Sequence, residues 1–290
     1  MNSLTVAFVT SRRDSKVEWF FESLFKNVKQ SNASVEVIVV DILGMEGRNQ
    51  YPNCLFTVPK PTIWQGPHRI TREDWWAKSN ALNTAICLCR TEWIAFVDDR
   101  SVLCPGWLDC IEEAMRGQYA VCGYYEKRAN MRVENGEIVD AGTLLGADTR
   151  TPGTYPFDSW YGGHGALPLE WCLRVQGFPE VADSLGSEDS LFGILLRNFG
   201  FPVYYDSRMR LIEDRTPGEI GGALRRSDWG ESPRDASHAL VEMFRDKTTS
   251  QNEFDIRNMR DRVLNGEPFP PPTSSPIHWF SGEPISEKFV

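Results

Sequence analysis

Two adjacent pairs of carboxylates are the groups in this sequence whose type and spacing most readily do chemistry. Asp98 and Asp99 end the apolar run Trp93-Ile94-Ala95-Phe96-Val97. Such a run reads as a buried strand, and the edge where strands leave an α/β sheet is where such folds bind ligands. Paired carboxylates there can hold a divalent cation, and the cation can hold a diphosphate. Their plain alternative is a loop start with solvated acids. Glu188 and Asp189 form the second pair, at the start of a predicted helix. A helix dipole favours acids in its first turn, so they can be ordinary N-terminal residues. They can also include a general base that takes a proton from an acceptor hydroxyl.

The elements that must position these acids follow from hydrophobic periodicity. Leu4–Val9 reads as a first strand, followed by the polar turn Thr10-Ser11-Arg12-Arg13-Asp14. Lys16–Val28 has helical spacing, and Ser34–Asp41 is a β-branched strand. Cys54–Val58 is a short strand, Ser79–Cys89 a helix and Trp93–Val97 the next strand. A helix opens at Pro105, a favoured first-turn residue, and Tyr119–Tyr125 is a further strand. Residues 131–154 are turn-rich, with a hairpin at Asn135-Gly136. Leu191–Phe199 is a helix closed by Gly200, and Val203–Tyr205 a strand tip. Beyond Asp206 the pattern weakens: Ala236–Arg245 and Phe254–Leu264 read as helices, and the Pro-rich 267–276 as an extended arm. Alternating strands and helices predict an α/β protein with a mainly parallel, covered sheet.

Three motifs stand in order along this framework. The first is Lys78-Ser79-Asn80-Ala81-Leu82-Asn83. The second is Phe96-Val97-Asp98-Asp99-Arg100 with Pro105-Gly106-Trp107-Leu108 after it. The third is Gly177-Phe178-Pro179-Glu180 followed by Glu188-Asp189. With them the chain resembles the GT-A fold glycosyltransferases, being similar to the family-two inverting enzymes and to galactosyltransferase-type C-terminal regions. The likeness covers about the first three quarters of the chain. It implies a GT-A, Rossmann-like mixed and mainly parallel sheet covered by helices over residues 1–215. The nucleotide-binding half would be 1–110 and the acceptor half 111–215, with a C-terminal helical segment and Pro-rich arm over 216–290.

The resemblance also implies roles. Thr10, Ser11 and Arg12 border the nucleotide. Asp41 is either the acid that pairs with a uracil-type base or a strand-end turn residue. Lys78 approaches base or phosphate, or is a solvated helix-start lysine. Asn83 belongs to the same nucleotide-sugar set. Asp98 contacts ribose or metal, and Asp99 metal or diphosphate. Asp189 is the base and Glu188 binds the acceptor. Arg100 stands where the second acid of a D-x-D would fall; arginine cannot ligate a metal, but its fork of donors suits phosphate. The cofactor expected is Mn2+ or Mg2+, unless a protein cation replaces it. His238 is either a third metal ligand or a helix-face histidine. Trp160, Gly163 and His164 lie in the glycine-rich Trp160-Tyr161-Gly162-Gly163-His164-Gly165, where an aromatic can stack on a sugar. Arg215, Arg225 and Arg226 are candidates for a lid or plain surface charge.

The function expected is an inverting hexosyltransferase that moves a sugar from a nucleotide donor, a UDP-sugar, to a hydroxyl of a glycan, lipid carrier, protein or modified nucleobase. A nucleotidyltransferase is the enzyme alternative, although Thr10–Asp14 lacks the glycine-rich loop that class uses. A decayed nucleotide- or glycan-binding module is the non-enzyme alternative. A net charge of −9 over 290 residues argues against non-specific nucleic-acid binding. Seven cysteines, an odd number mostly in apolar segments, read as reduced thiols, and Cys87-Leu88-Cys89 lacks zinc spacing. With no run near the ~20 apolar residues of a membrane span and no signal-peptide pattern, a cytoplasmic protein is expected. Composition leaves the oligomeric state open.

Overall fold

The computed structural model describes residues 3–31, 33–45, 51, 53–62, 64, 75–149, 160, 164–183, 185–216, 222–223, 233–272, 277–278 and 283–284. In chain order the elements are β1 (Ser3–Thr10), α1 (Val17–Val28), β2 (Ser34–Asp41), β3 (Cys54–Thr57), α2 (Lys78–Leu88), β4 (Trp93–Asp98), β5 (Ser101–Leu103) and α3 (Trp107–Gly117). There follow β6 (Ala120–Ala129), β7 (Arg132–Glu134), β8 (Glu137–Asp140), β9 (Thr143–Ala147), β10 (His164–Pro168), α4 (Leu169–Arg174), α5 (Glu188–Phe199) and β11 (Val203–Asp214). The last are α6 (Pro233–Phe244), α7 (Ile256–Leu264), β12 (Ile277–His278) and β13 (Glu283–Pro284).

The main sheet has the order β3-β2-β1-β4-β10-β6-β11-β5, with β9 paired to β6. Strands β1, β2, β3, β4, β6 and β11 run in one direction, while β5, β9 and β10 oppose them. The C-terminal ends of β1, β2, β4, β6 and β11 therefore share one edge, where an α/β sheet receives its ligands. Helices cover both faces: Ala81, Leu82, Ala85 and Ile86 of α2 pack in one cluster, Phe20, Phe21 and Leu24 of α1 and Leu108 and Ile111 of α3 in the other. Apolar runs such as Val37–Val40 and Ile94–Val97 are buried throughout, as strands covered on both faces must be.

Local chemistry fixes the turns that matter. Asn135 and Gly136 both take positive φ, 51° and 71°, which makes the two-residue primed turn expected between β7 and β8. Gly200 closes α5 at φ 85°. Helix α2 has no side-chain cap of its own at Ala77. The buried Asp183 supplies one instead, accepting from the backbone N–H of Ser79 at 2.7 Å and of Asn80 at 3.2 Å. Asn83 ties the same two segments again: its Nδ2 donates to Phe178 O and Glu180 Oε1, both at 2.9 Å, and its Oδ1 accepts from Phe178 N at 2.8 Å. Gly177 turns there at φ 75°, and a Cβ on it would meet Asn83 Oδ1 at 2.3 Å. The Lys78–Asn83 and Gly177–Glu180 motifs are thus two halves of one bracket that fixes where α2 begins.

Several elements differ from expectation. His164 and Gly165 enter the sheet at the start of β10, and Gly165 leaves room for the Trp160 ring, 2.5 Å from where its Cβ would stand. Strand β11 runs twelve residues, not three, its second half pairing with β6 after an irregularity between Asp206 and Arg210. Short β9 lies within the stretch that reads as turn-rich, and short β5 is a strand for which the sequence carries no expectation. Helix α3 begins at Trp107, after Gly106 at φ 84°, not at Pro105. Towards the C-terminus, α7 packs on α2, and Asn252 accepts from Glu180 N at 3.0 Å and donates to Gln176 O and Phe178 O. Among the described residues no helix is long and apolar enough to cross a membrane. All seven cysteines are free thiols.

Candidate active site

The acid pairs meet at the shared edge through a single ammonium. Lys78, the first residue of α2, places its Nζ 2.7 Å from Asp98 Oδ1 and 3.2 Å from Glu188 Oε1. Asp98 ends β4 and Glu188 opens α5, ninety positions later in the chain. Burial would depress Lys78, but Asp98, Glu188 and Asp189 outweigh it and hold the ammonium well above its usual pKa. Burial pushes Asp98 up; the charge and hydrogen bond of Lys78, with Arg215 and Arg12, reverse this and leave it lowered. Glu188 is raised, by burial first and by Asp189 and Asp98 against the pull of Lys78. Asp189 is half-buried in the first turn of α5, its charge felt by both Lys78 and Lys127.

Asp99 faces the loop after β1. Its Oδ2 accepts from Thr10 Oγ1 at 2.6 Å and its Oδ1 pairs with Arg12 Nε at 3.0 Å. Burial still raises its pKa beyond what Arg12 and Thr10 offset. Ser11 O accepts from Ala223 N at 2.9 Å, and Arg12 bridges to Gly222, so residues 222–223 lie along this loop. Backbone strain accompanies both pairs. Arg100, just after Asp99, and Ser187, just before Glu188, take the left-handed region at φ 56° and 69°, a conformation such residues hold only where the surroundings enforce it.

Three residues that the sequence did not single out, or left open, complete the cluster. Glu213 near the end of β11 is fully buried and pairs with Arg12 at 3.4 Å and with Arg215. Lys127 of β6 stands opposite Glu213 in register. Arg215 follows the same strand two residues on. The clue in the sequence was Glu213-Asp214 after Leu211-Ile212, a third acid pair ending an apolar run. Burial, with Asp98 and Asp99, raises Glu213 to a pKa of about 7 against the opposing pull of Arg215 and Arg12. An acid held above its unfolded value of 4.5 favours folding most when protonated, so its contribution falls as pH rises from about 4.5 to 7. Glu213→Gln should flatten that part of the stability curve, measured by denaturant unfolding from pH 4.5 to 8; an unchanged slope would show that Glu213 titrates elsewhere.

Other expected site residues are placed differently. Asp41 is buried at the end of β2, and its carboxylate accepts from Leu43 N at 3.0 Å and Met45 N at 3.1 Å, so it shapes its own turn. Asn83 is the buried bracket described above, not a group facing a ligand. Arg100 is 1% exposed and turned away from the acids. It donates to Asp214 Oδ2 at 2.5 Å, Asp214 O at 3.1 Å and Asp14 O at 3.3 Å, riveting β11 to the β1–α1 loop. Trp160 is buried edge-on against Phe192 and beside Gly165 and Gly193, with no face for a sugar. His164 is a core histidine whose Nε2 accepts from Trp107 Nε1 at 3.0 Å. His238 is exposed on α6. Gly163, Tyr161, Arg225 and Arg226 lie outside the described residues.

Among the described residues, the side chains gathered here do not fit a resident divalent cation. Among the described residues no three His, Cys, Asp or Glu side chains gather as ligands. Both Asp99 oxygens are taken by Thr10 and Arg12. A dication on Asp98 would sit beside the Lys78 ammonium, 2.7 Å from that carboxylate, and like charges at such range repel strongly.

No family model matches the sequence, and no curated protein matches it. Solved structures do. Residues 1–349 of S. aureus TarS in complex with UDP-GlcNAc superpose with a TM-score of 0.54 at 12% identity, over 91% of this chain and 70% of that one. TarS is a GT-A-type glycosyltransferase. The chain has a GT-A fold. The same region of TarS in complex with UDP gives a TM-score of 0.49 at 12% identity, over 76% of this chain and 62% of that chain, less than two thirds of its length. In this GT-A fold, Thr10, Arg12, Lys78, Asp98 and Asp99 gather at the edge formed by β1, β4 and α2, with Glu188 and Asp189 across from them.

Proposed function

We propose that this chain is a glycosyltransferase that moves a sugar from a nucleotide-sugar donor, a UDP-sugar, to an acceptor hydroxyl with inversion. The observation that carries this reading is the Lys78 ammonium shared by Asp98 and Glu188, which makes one site of two motifs far apart in sequence. The donor lies along the β1 and β4 ends, near Thr10, Ser11, Arg12 and Asp98. The acceptor approaches from the start of α5. Its hydroxyl oxygen forms a bond to the anomeric carbon while the carbon–oxygen bond to the diphosphate breaks from the opposite face. The hydroxyl proton passes to the Asp189 carboxylate, and the bond's electron pair leaves with UDP. Asp189 suits this role because it is the more exposed of its pair, while Glu188 is buried and bound to Lys78. Glu188 then orients Lys78 and the acceptor.

Release of UDP from a panel of UDP-sugars, with saccharide, lipid, peptide and hydroxymethyl-nucleobase acceptors, tests the reading. Acceptor-stimulated UDP release with at least one pair is expected. Formation of pyrophosphate from UTP and a sugar phosphate would instead identify a nucleotidyltransferase.

A further inference from the structure

The acids of this site are matched by cations, but Arg215 shares Glu213 with Arg12, and Lys127 has no ion-pair partner among the described residues. Arg215 meets Glu213 through Nε alone; among the described residues its two terminal nitrogens have no partner, and its side chain is 30% exposed. Lys127 makes no ion pair among the described residues, and its only contact of note is with the Tyr125 ring, 5.2 Å from Nζ to the centroid. Lys127 stands beside Glu213 in register and Arg215 follows on the same strand, so all three project from one face at the C-terminal edge of β6 and β11. Burial, then the nearby Arg215 and Lys78, lowers the pKa of Lys127, and Asp98 and Asp189 also act on it. These cations therefore border the same cluster as the acid pairs. Two half-buried positive groups held close together, with Glu213 as their one direct ion-pair partner among the described residues and that acid already shared with Arg12, are costly unless a further anion joins them.

The geometry points to Lys127 and Arg215 as the groups that hold the donor's diphosphate, doing with protein cations what a divalent metal would otherwise do. This rests on the nucleotide-sugar reading above. Arg215 offers a planar pair of donors to phosphate oxygens and Lys127 a point charge. Arg12 and Lys78, by neutralising Asp99 and Asp98, keep the acids from repelling the incoming anion. The site thus binds and stabilises UDP as leaving group without a metal ion.

Calorimetric titration of UDP into the full chain, with Mn2+ and with EDTA, tests this. Wild type is expected to bind UDP with the same affinity in both buffers. Lys127→Met and Arg215→Met are each expected to weaken UDP about tenfold or more, the worth of a hydrogen bond to a charged group. Lys127→Arg, which keeps the charge, is expected to retain affinity, as loss of packing alone would not allow. Binding that needs Mn2+ would overturn the inference while leaving the glycosyltransferase reading in place. Both Met variants binding UDP like wild type in EDTA would also overturn it. No UDP affinity in either buffer would remove the inference and the reading together.

Discussion

Asp189→Asn is expected to lower acceptor-dependent turnover by about 10²–10⁴-fold, the usual worth of a positioned base. Asparagine keeps the size and the position in the first turn of α5 but cannot take a proton. UDP affinity should stay near that of wild type, because the proposed reading puts Asp189 on the acceptor side and the donor on β1 and β4. An equal fall in kcat and kcat/KM is the signature of a group that acts only in the transition state. The measurement is steady-state UDP release with a fixed acceptor, alongside UDP titration of the same variant. Unchanged turnover would take Asp189 out of the role, and lost UDP binding would make it a donor-site residue.

Lys78→Met should have the largest effect on the folded state. Lys78 is the sole cation within ion-pair distance of Asp98 and of Glu188 among the described residues. Removing it leaves two carboxylates facing each other in a site that is largely closed to water. Taking one partner from a buried ion pair costs about 3–5 kcal/mol, and here one removal orphans two. The sign of the pH dependence follows. In wild type, the lowered pKa of Asp98 contributes stability that is present at neutral pH and lost as pH falls. In the variant the unpaired acids are relieved by taking up protons. The gap between wild type and variant should therefore narrow as pH falls towards about 4, near the ordinary carboxylate range. Urea unfolding of both proteins at pH 7 and pH 4.5 measures it. A gap that widens at the lower pH would contradict the charge account.

Much of this was legible in the sequence where the governing physics is local. The runs Ser34–Asp41 and Trp93–Asp98 are apolar enough to be buried strands in any context, and the primed turn at Asn135-Gly136 is dictated by those two residues. Asp98 and Asp99 were visible because carboxylates directly after such a run are hard to place anywhere except at a sheet edge, and Glu188 and Asp189 because they open an apolar helix. What stayed hidden depends on contacts from elsewhere in the chain. Asn83 and Arg100 have side chains that suit a ligand, yet each is consumed by backbone groups, those of Phe178 for one and of Asp14 and Asp214 for the other. Trp160 and His164 sit in a glycine-rich stretch that resembles a binding loop, but its glycine makes space for a buried ring. Conversely, Lys127 belonged to no motif and Glu213 only to an acid pair after Leu211-Ile212, and their significance arises only when β6 and β11 pair.

Arginine at position 100 illustrates the same point. In a D-x-D frame it looks like a lost metal ligand. In the fold it is a rivet whose guanidinium joins two segments, the loop at Asp14 and the end of β11 at Asp214, while the neighbouring Asp98 and Asp99 pair with Lys78 and Arg12. Arg12, Lys78, Lys127 and Arg215 gather instead around Asp98, Asp99 and Glu213.

The measurement that bears most directly on the account is a double-mutant cycle between Asp98→Asn and Glu188→Gln, read as unfolding free energy at pH 7. If the two acids hang on one Lys78 ammonium, their effects are coupled, with an interaction energy above about 0.5 kcal/mol. Effects that add within about 0.3 kcal/mol, as independent distant sites do, would mean the two motifs do not share a site.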